Sequence, residues 1–117
     1  MKEALFYELV DQKKEVIKCL LCPKECLIKK DQVGFCRARK NINNKLYSLI
    51  YSKISSYGMD PIEKKPLYHF YPGRMVLSMG AIGCNFSCDF CQNWTISQAN
   101  IKDVSVEELS PEKADIL

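Results

Sequence analysis

The chain has 117 residues, 47% of them apolar and 26% charged, the make-up of an ordinary globular protein one domain in size, able to bury a modest core but too short for a complete eight-stranded barrel. No run approaches the roughly 18 apolar residues of a membrane-crossing helix, and the start MKEALFYELVDQKK mixes charge with apolar residues unlike a signal peptide. Seven cysteines, an odd number with no leader, point to metal rather than disulfides and to a cytoplasmic protein.

The net charge of +3 hides an asymmetry: residues 1 to 83 carry net +7 and residues 84 to 117 net −4. A basic first part raises nucleic acid as a partner. The lysines are scattered, with no basic helix face and no finger or RNA-recognition motif, so they read as solvated surface.

In chain order, Ala4 to Lys18 places Leu5, Leu9 and Val16 on one helical stripe with Phe6, Val10 and Ile17 beside it, which predicts an amphipathic helix packed on the domain. It lacks the concentrated basic face of a membrane-surface helix. Cys19, Cys22, Cys26 and Cys36 follow in CLLCPKECLIKKDQVGFC. Their spacing, with a turn at Asp31 to Gly34, supplies the four thiolates that either a structural zinc ion or an auxiliary iron–sulfur cluster requires; free thiols are the plainer alternative.

After the turn-like Asn41-Ile42-Asn43-Asn44, the run Lys45 to Tyr57 is rich in Leu, Ile and Tyr and reads as one or two antiparallel strands. Gly58, Asp60 and Pro61 break it. The segment DPIEKKPLYHFYPG, residues 60 to 73, is held semi-rigid by Pro61, Pro66 and Pro72. Arg74 to Met79 is a short apolar run before Gly80 and Gly83, the pattern of a buried strand emptying into a flexible loop.

That loop reads GCNFSCDFCQNW and carries Cys84, Cys88 and Cys91 as CxxxCxxC. Three thiolates so close in sequence can converge on one four-iron cluster and leave one iron without a protein ligand. A zinc site would need a fourth ligand, with His69 the one histidine able to fold back. A redox pair of Cys88 and Cys91 would leave Cys84 without a role.

The loop resembles the signature of the radical S-adenosylmethionine superfamily. The ordered set CLLCPKEC, GFCRAR, DPIEKKPLYHFYPG, LSMGAIGC and CDFCQNWTIS resembles, over nearly residues 19 to 97, the AmmeMemoRadiSam-system radical enzymes, a group close to the pyruvate formate-lyase activating enzymes. The resemblance implies that Cys84, Cys88 and Cys91 hold a 4Fe-4S cluster whose open iron is chelated by S-adenosylmethionine. It implies that Phe90 packs near the adenine and that Asn93 and Trp94 shape the cofactor pocket. The implied chemistry is reductive cleavage of S-adenosylmethionine to a 5′-deoxyadenosyl radical for hydrogen abstraction, with protein supplying orientation and exclusion of water. Lys64, Lys65 and His69 match the group's pattern, as either structural or catalytic residues.

The implied architecture is an N-terminal cysteine-rich α+β domain over residues 1–72, followed over residues 73–117 by the first strand, cluster loop and beginning of the first helix of a partial (β/α) TIM-type barrel. Ser110-Pro111-Glu112-Lys113 reads as that helix start, with Ser at the N-cap and Pro at the first helical position. No glycine follows Gly83, so the glycine-rich segment that holds the amine of S-adenosylmethionine in this superfamily has no counterpart here. The expectation is a cluster-binding portion that does not turn over alone and that assembles with a separately encoded remainder of the barrel, acting on a protein or small-molecule substrate. The alternative is a non-catalytic metal-binding interaction module.

Overall fold

The computed structural model describes residues 1–116. The protein is built from short antiparallel strands. β1 (Lys2–Glu3) leads to β2 (Tyr7–Asp11) and β3 (Val16–Cys19), which form a hairpin with a register shift between Leu9 and Asp11. β4 (Leu27–Ile28) adds to the other edge of β3. β5 (Arg39–Ile42) and β6 (Lys45–Ser48) pair around a two-residue turn, Asn43 and Asn44 both having positive φ (51° and 63°) as such turns require. β1 lies on the far edge of β6, giving the order β1-β6-β5.

β7 (Lys53–Ile54) and β8 (Ser56–Pro61) follow, then a single 3-10 turn at Ile62–Lys64 and β9 (Met75–Gly80). β8 and β9 pair antiparallel along their whole length, from Ser56 opposite Gly80 to Pro61 opposite Met75. The chain then runs irregularly to α1 (Trp94–Ser97), β10 (Glu107–Glu108), which pairs with β7, and α2 (Pro111–Ala114). Strand pairing thus spans residues 72 and 73 through both β8–β9 and β7–β10.

The expected α+β domain leading into a (β/α) barrel is corrected by this architecture. The sheets are small and antiparallel, β9 takes its partner from the segment before it, and each α-helix among the described residues has four residues. Residues 4 to 18 are a hairpin rather than a helix. The Asp11 carboxylate accepts from the Lys14 backbone N–H at 3.0 Å, an Asx-type turn that competes with helix continuation, and Glu15 closes it at φ 53°. Period two then applies: Ile17 and Cys19 of β3 are buried, while Leu5, Phe6, Leu9 and Val10 of the supposed stripe are exposed.

The core is correspondingly small. Ala4, Ile17, Cys19, Ile28 and Leu46 form its buried cluster, with Tyr7 and Cys26 packed against it. Asn41 is buried beside it and ties β5 to β4 and to the turn before β3, its Nδ2 donating to the Glu15 carbonyl at 2.8 Å and the Ile28 carbonyl at 2.9 Å. The radius of gyration is 16.7 Å, against about 13 Å for a compact chain of this size. β9 forms where the apolar run predicts a strand, yet Met75, Leu77 and Met79 on one of its faces are exposed, so it is not the buried strand expected. The start of α2 is as read: Ser110 caps it by accepting from the Lys113 N–H, with Pro111 at the first position. Among the described residues no helix is long and apolar enough to cross a membrane.

Candidate functional site

The first cysteine motif is displayed on the β3–β4 connection. β3 ends at Cys19, whose N–H donates to the Cys26 carbonyl at 2.9 Å, and Glu25 N–H returns to the Cys22 carbonyl at 3.2 Å, folding the CLLCPKEC stretch into a knuckle with Glu25 at φ 44°. Cys36 enters from the turn before β5, closed by Arg37 N–H to the Gly34 carbonyl at 2.9 Å. Cys19, Cys22, Cys26 and Cys36 line one cavity of about 460 Å³. Arg39 lines it as well, its Nη1 donating to Cys19 Sγ at 3.4 Å and to the Leu5 carbonyl at 2.8 Å. A guanidinium anchored there places positive charge where four thiolates would concentrate negative charge, a supporting role typical around metal ligands.

The second motif meets the first. Cys84 lines the same cavity, brought there by a backbone contact: Gly83, at φ +87°, lies so close to Cys36 that a Cβ would fall 2.3 Å from the Cys36 carbonyl oxygen. Gly83 N–H is itself held by the Ile96 carbonyl at 2.9 Å. Gln98 completes the frame, accepting from Arg37 Nη1 at 3.0 Å through Oε1 and donating to the Phe86 carbonyl at 2.9 Å through Nε2. No sequence signal marked Gln98, because its partners Arg37 and Phe86 lie 61 and 12 residues away.

The three cysteines of CxxxCxxC are placed differently from one another. Cys84 Sγ accepts from the Phe86 N–H at 3.4 Å, Cys91 Sγ lies 3.4 Å from the hydroxyl of buried Ser97, and Cys88 is exposed. All seven cysteines are free thiols. Among the described residues no three Cys, His, Asp or Glu side chains stand together as a metal-binding group. The donor set of three thiols suits an iron–sulfur cluster, and the segment from Cys84 to Gln92 has neither helix nor strand to hold the thiols apart. His69 is exposed and lines neither this cavity nor the one beside β8 and β9. Phe90 and Trp94 are 88% and 66% exposed, their rings free of packing that would preclude a ligand. Asn93 precedes α1 and makes no side-chain cap.

Lys64 and Lys65 meet at Asp60, their Nζ atoms 3.0 and 3.4 Å from its two carboxylate oxygens. The neighbouring Ser78 hydroxyl first, then Lys64, then Lys65 hold the Asp60 carboxyl down to about 2.

The fold and site define a small antiparallel β protein with a cysteine-lined cavity and a second cysteine loop pinned beside it. No protein-family model matches the chain, and no solved structure matches it. It is similar to two proteins of Methanocaldococcus jannaschii: uncharacterized protein MJ0808, 50% identical over 113 residues covering 97% of this chain, and uncharacterized protein MJ0674, 32% identical over 99 residues covering 77% of this chain. The chain spans about a third of the length of the first relative (33%) and less of the second (23%).

Proposed function

We propose that this chain is the iron–sulfur-binding portion of a radical S-adenosylmethionine enzyme of the kind that activates glycyl-radical enzymes, with Cys84, Cys88 and Cys91 as ligands of a 4Fe-4S cluster. The observation that carries the reading is the set of three free thiols in CxxxCxxC on one irregular loop leaving β9. A reduced cluster there would supply the electron that cleaves S-adenosylmethionine to methionine and a 5′-deoxyadenosyl radical. The chain's own part is positional. Gly83 and the Arg37–Gln98–Phe86 frame hold the loop, Phe90 offers an exposed ring to the adenine, and Asn93 and Trp94 shape the cofactor pocket. Cys19, Cys22, Cys26 and Cys36 would hold a second metal, zinc or a cluster. Seven free thiols suit the cytoplasm, where thiols stay reduced. The two relatives continue well beyond the matched region, and turnover on a protein or small-molecule substrate is proposed to need the counterpart of that region, on the same polypeptide or separately encoded.

A second reading, a non-catalytic metal-binding interaction module, is favoured by one observation: Cys84 shares its cavity with the four N-terminal cysteines. Anaerobic reconstitution with iron counting and electron paramagnetic resonance separates the two. A Cys84→Ala/Cys88→Ala/Cys91→Ala variant should lose the cluster signal and about four irons, as one four-iron cluster would take with it, while any metal at the N-terminal cysteines stays. Iron retained at the parent level would overturn the cluster assignment.

A further inference from the structure

The β8–β9 hairpin gathers small and polar residues on one face. Ser56, Gly58 and Asp60 of β8 share one face with Gly80, Ser78 and Val76 opposite them, while the other face, with Tyr57, Met59, Leu77 and Met79, is exposed. A hairpin ordinarily turns its apolar face to the core. Here the small polar residues floor a cavity of about 510 Å³, within the range of small-molecule sites, ~300–1,000 Å³. Nothing stands within 4 Å of where a Cβ on Gly58 would be, so the floor is open above that residue. Lys64 and Lys65 line it as well, together with Gln92 and Asn93 from just past the cysteine loop.

The charges in this cavity do not cancel. One carboxylate, Asp60, faces two ammonium groups, and an ammonium has three N–H donors, so after Asp60 takes one from each lysine both keep donors to spare. Glu63, the other acid nearby, does not line the cavity and turns its carboxylate to the Gly73 N–H at 2.7 Å. The Asn93 amide is not spent on capping α1.

We propose that this cavity binds the anionic oxygens, carboxylate or phosphate, of a small-molecule ligand, with Lys64 and Lys65 as a charged clamp spaced by Asp60 and with Asn93 as a neutral donor. Lysine suits this task as a mobile point charge that either oxyanion accepts. The proposal needs no metal; it shares Asn93 with the cofactor pocket of the cluster reading, whereas the Lys64 and Lys65 clamp has no part in that reading.

Inorganic phosphate and succinate, titrated separately into the chain at constant ionic strength and followed by amide-resolved NMR, test it. At least one probe should give saturable shifts centred on Gly58, Gly80 and the Asn93 side-chain amide. Phosphate alone acting assigns a phosphate-bearing ligand, succinate alone a carboxylate, and both an oxyanion of either kind. A Lys64→Ala/Lys65→Ala variant with an intact, dispersed spectrum should bind at least about tenfold more weakly, as loss of charge-assisted hydrogen bonds implies, and Lys64→Arg/Lys65→Arg should keep binding. Shifts that never saturate, that spread over Lys13 and Lys14, or that survive the double alanine change overturn the proposal.

Discussion

Replacing Gly83 by alanine tests the junction between the two cysteine motifs. Gly83 combines a positive φ of +87° with a Cβ position 2.3 Å from the Cys36 carbonyl oxygen, whereas Gly73 has a positive φ of +75° with nothing within 4 Å, and Gly58 has open space and no positive φ. The three glycines therefore separate conformational strain from steric clash. An L-residue in the left-handed region costs roughly 1–2 kcal/mol, offset by about 0.4–1 kcal/mol from the stiffer unfolded chain, so Gly73→Ala should destabilise by about 1.5 kcal/mol or less. Gly83→Ala adds a contact that the Cys36 backbone must yield to, and overpacking of that kind costs roughly 1–3 kcal/mol more, for about 1–4.5 kcal/mol in all. Gly58→Ala should be near neutral. Urea unfolding provides the differences, and the extra loss at Gly83 should appear as a lower midpoint at unchanged slope. The same displacement should lift Cys84 out of the shared cavity, so a thiol reagent should modify Cys84 faster in Gly83→Ala than in Gly73→Ala. Equal destabilisation of the two variants, with equal Cys84 reactivity, would refute the close approach of the loop to the knuckle.

Asn41→Ala should cost about 1–3 kcal/mol, because it strands the buried Ile28 carbonyl and removes a part-buried bond to the Glu15 carbonyl, and a buried unsatisfied group costs roughly 1–3 kcal/mol; a change in urea midpoint no larger than that of an exposed control such as Lys13→Ala would sink the idea. Asp60 has a pKa lowered from 3.8 to about 2 by the Ser78 hydroxyl first and then by Lys64 and Lys65, so these contacts contribute fully above the unfolded value and are lost as the pH falls through the folded one. An NMR titration of its carboxyl carbon should show a midpoint near 2 that moves toward 3.8 in Lys64→Ala; a midpoint already at the ordinary value would remove the clamp.

Local signals proved readable where a single turn or a single run of residues decides the outcome. The Ser110-Pro111 start of α2 is closed by one hydrogen bond three residues along, and the strands β6, β7 and β9 lie inside runs of Leu, Ile, Tyr, Val and Met. Residues 4 to 18 depart from the helical expectation because Leu5, Leu9 and Val16 fit a helical stripe, while the opposing signal is one aspartate, Asp11, starting a turn. Nor could Asn41 be recognised as a core tie: its neighbours Ile42, Asn43 and Asn44 read as a turn, and the strand it belongs to is defined by partners on β6.

The spacing of the cysteines along the chain determined the number and kind of donors that each motif offers, because ligand spacing over eight or so residues is a local property of the backbone. Which cysteines share a cavity was decided only by the folded chain. Cys84 joins Cys19, Cys22, Cys26 and Cys36 because Gly83 lets two backbone segments nearly fifty residues apart touch, and the Asp60–Lys64–Lys65 group faces Asn93 across a cavity because β8 pairs with β9 in the register that puts Ser56 opposite Gly80. One residue of slip in that register would turn every side chain of the strand to the other face, and no local pattern in this hairpin, small and polar on one side and apolar but exposed on the other, announces which face the cavity takes.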